Sequence, residues 1–179
     1  MRDRIKLAEY FNTLGFKIGA EVGVADGRYS EILCQKIPGL TLHCIDPWET
    51  YRGNRRGGGH EQQYGNYEIA KKRLSAYDTN LMRMSSMDAV RKFPYECLDF
   101  VFIDGNHDFD FIMEDLIEWS RRVKKGGIVS GHDYYNFHNS GVIEAVDIYA
   151  KAHKIDLQLT EQLHDGWRDD RAPCFWWRK

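Results

Sequence analysis

Residues 17–27 read Lys17-Ile18-Gly19-Ala20-Glu21-Val22-Gly23-Val24-Ala25-Asp26-Gly27. An apolar run that closes on glycines and passes straight into Arg28–Lys36 (RYSEILCQK) predicts a buried strand over 17–24 feeding a helix. The glycines permit a tight turn and let a ligand come close to the backbone. Such a turn serves every doubly wound α/β fold, so the turn alone is compatible with simple packing or with a dinucleotide. Glu21 narrows the choice. A carboxylate at the end of this strand disfavours a pyrophosphate and favours an ammonium group. The spacing also departs from the GxGxxG of dinucleotide turns. The stretch therefore points to a nucleoside ligand with a cationic tail.

Outward from this turn the same alternation repeats. Upstream, residues 1–15 form an N-terminal helix with Ile5, Ala8, Tyr10, Phe11 and Leu14 along one face and Gly15 as its stop. Downstream, Pro38-Gly39 breaks the helix, Thr41–Ile45 is a second strand, and Tyr67–Tyr77 is helical. Leu81–Met84 is a third strand and Asp99–Ile103 a fourth. Phe109–Val123 has helical apolar spacing and Lys124–Gly127 ends it. Ile128–Ser130 opens a fifth strand and Val142–Ala152 is a further helix. Leu157–Thr160 and Cys174–Trp177 can pair as an antiparallel hairpin at the sheet edge. Strands alternating with helices imply a mostly parallel sheet covered on both faces. Ligands then sit beyond the carboxyl ends of the strands, at the switch point. Tyr51–Asn66 (YRGNRRGGGHEQQYGN) interrupts the pattern with five glycines, three arginines and no periodicity. It reads as a surface loop or as a lid over substrate. The Arg52, Arg55 and Arg56 cluster within it suits solvent or an anionic acceptor.

The 179 residues suit one domain over 1–179. A net charge of −2 gives no sign of a nucleic-acid or membrane-surface partner. No apolar run is long enough to span a bilayer. The four cysteines form no CxxC pair, which argues for reduced thiols and a cytoplasmic location. A homo-oligomer is compatible with the chain.

The polar residues cluster just after the predicted strands. Asp46, at the end of the second strand, can accept hydrogen bonds from both ribose hydroxyls or cap a turn. Trp48 beside it can cover a site or pack. Ser85-Ser86-Met87-Asp88 can border an adenine ring or cap a helix. Asp104-Gly105-Asn106-His107 and His132-Asp133 end the fourth and fifth strands. Single buried histidines are usually structural, but two histidines and two aspartates at adjacent strand ends favour a site.

Together, EVGVADG, FIDGNHDF and GGIVSGHDY resemble the class I S-adenosylmethionine-dependent methyltransferases. Within them the chain is similar to a small group related to catechol and macrocin O-methyltransferases that shares the IDGxH and GHDY elements. The resemblance covers residues 17–150. It implies a Rossmann-like, seven-stranded, mostly parallel sheet with helices on both faces and a C-terminal antiparallel hairpin. It implies S-adenosylmethionine as cofactor and O-methylation of a small sugar, phenol or other hydroxyl acceptor. The cofactor-binding set it implies is Glu21, Gly23, Val24, Asp26, Gly27, Asp46, Pro47, Trp48, Ser85, Ser86, Met87, Asp104, Gly105 and His107. Of these, Glu21, Gly23 and Asp26 would lie by the methionine end, Asp46 at the ribose, and Ser86 and Met87 by the adenine. His107 or His132 would be the base, beside Asp104 and Asp133. In metal-dependent relatives an aspartate after the fourth strand and an acidic pair after the fifth hold magnesium. Asp104, His132 and Asp133 occupy those positions here. The histidine disfavours magnesium, and a softer divalent ion or none suits as well. The rival readings are a nicotinamide-dependent oxidoreductase on a related fold and a non-catalytic cofactor-binding protein.

Overall fold

The structure is a computed structural model describing residues 1–51, 59–136, 140–162 and 171–179. In chain order it runs α1 (Arg4–Thr13), β1 (Ile18–Val22), α2 (Arg28–Lys36), β2 (Thr41–Asp46), α3 (His60–Leu74), β3 (Thr79–Arg83), α4 (Ser86–Val90) and β4 (Leu98–Ile103). Then follow α5 (Phe109–Arg122), β5 (Val123–Gly131), α6 (Val142–His153), β6 (Gln158–Leu159) and β7 (Phe175–Arg178). The seven strands lie in the order β3-β2-β1-β4-β5-β7-β6. Every pair from β3 to β5 is parallel, and β7 runs antiparallel to both β5 and β6. This is the expected Rossmann-like sheet with its reversed C-terminal hairpin. The strand order reverses at β1/β4, so the switch point falls at the ends of those two strands.

Alternation along β4 shows why two layers of helices form. Val101 and Ile103 face one core, with Leu116 and Trp119 of α5 and Val146 of α6. Phe100 and Phe102 face the other, with Phe11 of α1 and Leu33 of α2. A strand buried on both faces needs apolar side chains at every position, and LDFVFI comes close to supplying them. The ring of Phe100 stacks on Phe11 with centroids 4.6 Å apart. It also lies where a Cβ on Gly19 would stand, so β1 must carry glycine there.

Three expectations need correction. The helix after β2 starts at His60 rather than Tyr67, so part of the segment 51–66 is helical. Of its first seven residues only Gln63 is buried, so no apolar period marks them, whereas Glu61, Gln62 and Gln63 are good helix formers. Residues 52–58, with the arginine cluster, lie outside the described residues, and so does any lid there. Next, β5 begins at Val123, directly after α5. Lys124–Gly127 belongs to that strand, where the register against β4 shifts between Leu98 and Phe100, and Gly127 packs against the carbonyl of Asp99, where a Cβ would not fit. Finally, α1 buries Leu7, Ala8 and Phe11, while Ile5 is only half-buried.

Candidate active site

The turn after β1 is held from two sides. Gly23 has φ +89°, and a Cβ there would run into the backbone carbonyl of Asp104. The Asp104 N–H in turn donates to the Val22 carbonyl at 2.7 Å. The turns after β1 and β4 thus touch through backbone alone. On the other side, the Asp46 carboxylate accepts from the N–H groups of Val24 and Ala25, both at 3.0 Å, and of Trp48 at 2.7 Å. Burial raises its pKa, with those three donors opposing. A carboxylate offers about four lone-pair sites, so about one remains for a ribose hydroxyl. Asp46 therefore caps the turn in this structure. Pro47 follows it, half-buried.

Other members of the expected cofactor set have structural partners. Trp48 is fully buried, donates through Nε1 to the Ala25 carbonyl and packs on Tyr67. Asp26 pairs with Arg28 and Arg73, and Gly27 starts α2 at φ +80°. Ser85 caps α4 by accepting from the Asp88 N–H at 3.1 Å. Ser86 donates to Asp115 and accepts from Trp119 Nε1. Met87 lines an outer groove with Val90, Arg91, Glu114, Ile117 and Glu118.

Glu21 is fully buried and accepts from the Ser30 hydroxyl. Burial pushes its pKa up to about 8; the Ser30 hydrogen bond opposes this and the Asp104 charge adds to it. Glu21 is therefore mostly neutral at pH 7, and becomes an anion when a cation arrives beside it.

The strand ends of β4 and β5 bring four polar groups together. His107 Nε2 lies 2.9 Å from Asp133 Oδ2 and 3.9 Å from Asp104 Oδ1. His132 Nδ1 lies 3.3 Å from Asp133 Oδ1 and 3.9 Å from Asp104 Oδ2. Burial works against the imidazolium of His107, but the carboxylates of Asp104 and Asp133 beside it carry its pKa up to about 9. His132 is raised too: burial opposes, and Asp104 and Asp133 prevail. Asp133 is held well below the usual carboxylate range, since the two histidines overcome its burial. It also sits at φ +58°, and Ala25 and Trp48 share this left-handed conformation at +48° and +44°. Strained backbone of this kind gathers at functional turns.

The donor atoms of Asp104, His107 and Asp133 all lie within 4.8 Å of one another. His107 thus joins the closest set of potential metal ligands, and the expected His132 stands beside it. The Nε2 of His132 is buried with no hydrogen-bond partner among the described residues. Sequence reasoning missed Arg4 and Asp115. Arg4 reaches this end of the sheet from α1, with Nη1 3.9 Å from Asp104 Oδ2. Asp115 is buried beneath Ser86, and burial pushes its pKa up to about 7.

No described helix is long and apolar enough to cross a membrane. A search of curated protein sequences finds no significant match. Among solved structures, the chain is similar to an O-methyltransferase from Bacillus cereus in complex with S-adenosylhomocysteine. That pair has a TM-score of 0.70 and 13% identity, over 98% of this chain and 80% of that one. An O-methyltransferase of tomaymycin synthesis from Streptomyces achromogenes superimposes with a TM-score of 0.68 and 15% identity, over 98% and 79%. An rRNA methylase from Streptococcus thermophilus gives a TM-score of 0.67 and 14% identity, over 100% and 98%. At these identities the likeness concerns the fold. A family model described as "Methyltransferase domain" matches residues 20–134, which run from β1 through the Gly23 turn and both polar strand ends. The chain belongs to the methyltransferase-domain family.

Proposed function

We propose that this protein transfers a methyl group from S-adenosylmethionine to a hydroxyl of a small molecule. The observation that carries the reading is the convergence of Asp104, His107, His132 and Asp133 beside the Gly23 turn. The residues suit the cofactor: Glu21 and Asp104 can receive an ammonium, and Asp46 keeps an acceptor site for ribose. S-adenosylmethionine supplies a methyl already activated on a sulfonium. The protein then has to align the nucleophile, exclude water and take up a proton.

His107 is the acceptor for that proton. In the free protein it is an imidazolium between two carboxylates. It gives up its proton when further positive charge enters the site, because like charge disfavours the imidazolium. Asp133 orients the ring through the 2.9 Å contact. Two carboxylates and an imidazole, with a second imidazole adjacent, also suit a borderline divalent ion better than magnesium. Asp104, His107 and Asp133 would hold such an ion, which would then replace His107 as the activating group by lowering the pKa of the acceptor hydroxyl.

A methyl-release assay over sugars and phenols, run with chelator and then with Mg²⁺, Mn²⁺ or Zn²⁺, tests the reading. Some acceptor should be methylated, and His107→Ala should lower turnover by about 10²–10⁴-fold while S-adenosylhomocysteine affinity changes only a few-fold. kcat/KM, which reports the free protein, should rise with pH and level off above about 9, where His107 is free of its proton before the cofactor binds. Full turnover in His107→Ala would overturn the assignment of the base.

A further inference from the structure

Tyr51 ties together two loops that the sheet keeps apart. It stands in the loop that follows β2. Its hydroxyl accepts a hydrogen bond from Asn106 Nδ2 at 3.3 Å, and its ring lies 6.1 Å from that of Phe111, tilted by 58°. Asn106 belongs to the turn after β4, and Phe111 to the first turn of α5. In the sheet, β1 lies between β2 and β4. Neighbouring strands run about 4.8 Å apart, so the link bridges roughly 10 Å. What it crosses is the end of β1, where the Gly23 turn meets the Asp46 carboxylate.

The charges around the hydroxyl locate it further. Burial raises its pKa, the Asn106 hydrogen bond opposes, and the charges of Asp46, Asp115 and Asp108 add to the rise. Asp46 lies on the β2 side and keeps an acceptor site for ribose. Asp115 lies on the α5 side, bound by Ser86, the residue expected beside the adenine. A nucleoside running from Asp46 towards Ser86 would pass beneath Tyr51. Core packing does not account for the ring. Tyr51 is 37% exposed, and among the described residues its aromatic neighbour is Phe111, which is equally exposed.

We propose that Tyr51 is a strap over the cofactor cleft: its ring covers a face of the purine, and its hydrogen bond with Asn106 holds the strap shut. The proposal rests on the adenosyl-cofactor reading above. It gives the two parts of the side chain separate tasks. The ring stacks on the base, as aromatic side chains do on any nucleobase. The hydroxyl fixes the ring in place. Neither task involves the amino-acid tail of the cofactor.

The test is calorimetric titration with S-adenosylhomocysteine and with 5′-methylthioadenosine, which keeps the nucleoside and lacks the amino-acid tail. Tyr51→Ala should weaken both compounds by a similar factor, about 30-fold. Tyr51→Phe keeps the ring and loses the clasp, so it should weaken both by about fivefold; it serves alone if the alanine variant folds poorly. Weakening of S-adenosylhomocysteine alone would put Tyr51 at the tail, and unchanged or tighter binding by Tyr51→Ala would show that the ring covers nothing. A phenylalanine variant equal to the wild type would remove the clasp, and one as weak as the alanine variant would remove the stacking. Each of these results overturns the proposal. If the wild type binds neither compound, the cofactor reading fails first and the proposal falls with it.

Discussion

At the residue scale, Gly23 is the position with least freedom. Its φ of +89° and the Asp104 carbonyl pressed against it leave no room for a methyl. Gly23→Ala must therefore push the turns after β1 and β4 apart. The expected outcome is a loss of about 2–4 kcal/mol of stability and a collapse of S-adenosylhomocysteine binding, read by denaturant midpoint and calorimetry. Glu21, Asp104, His107, His132 and Asp133 were legible in the sequence because each is a polar residue at the end of an apolar run. Arg4 was not, since a basic residue near the start of an amphipathic helix signals nothing about what it reaches across the fold. Asp115 left a trace: it stands between Ile112, Leu116 and Trp119 on the buried face of α5. An acid on an apolar stripe calls for a partner, and Ser86, which donates to it, is visible only in three dimensions.

At the element scale, strands announced themselves better than helix starts. LDFVFI and the stretch IGAEVGV are mostly apolar, and Gly105 and Gly27 shortly after them mark their ends. The first half of α3 has neither signal, because helix propensity and a single buried Gln63 hold it rather than an apolar stripe. The start of β5 was hidden because Val123 completes the helical spacing of α5 while also pairing with Leu98. The contact between β1 and the α1 layer gives a direct test. Gly19→Val would drive a branched side chain into the Phe100 ring and off its stack with Phe11. Overpacking of this kind should cost about 1–3 kcal/mol. Adding Phe100→Leu should recover part of the loss in urea unfolding; a double variant no more stable than Gly19→Val would contradict this packing.

At the scale of the whole molecule, several buried groups titrate together. Glu21 is raised from 4.5 to about 8 and Asp115 from 3.8 to about 7, both chiefly by burial. An acid with a raised folded pKa contributes stability that is full below its unfolded pKa and is lost as pH rises through the folded one. His107, raised from 6.5 to about 9, has the same sign, and its contribution is lost as pH climbs towards 9. Stability should therefore fall from about pH 5 to pH 9, by on the order of 1 kcal/mol per pH unit for each titrating group. Thermal melts across that range check this. Glu21→Gln should flatten the slope, and a melting temperature that rises toward pH 9 would contradict the assignment. The topology was legible at this scale because βα alternation and right-handed crossovers leave few arrangements. The acceptor was not legible, since nothing in the strand-end motifs encodes its shape.

The central claim is that an adenosyl compound with an amino-acid tail binds at the joined ends of β1, β2 and β4. Calorimetric titration of the protein with S-adenosylhomocysteine, and separately with NAD, tests it most directly. Saturable one-to-one binding of the first, tighter at pH 8 than at pH 6.5 because Glu21 must lose its proton, and no heat from the second is the result expected. Binding of NAD with indifference to S-adenosylhomocysteine would contradict the account.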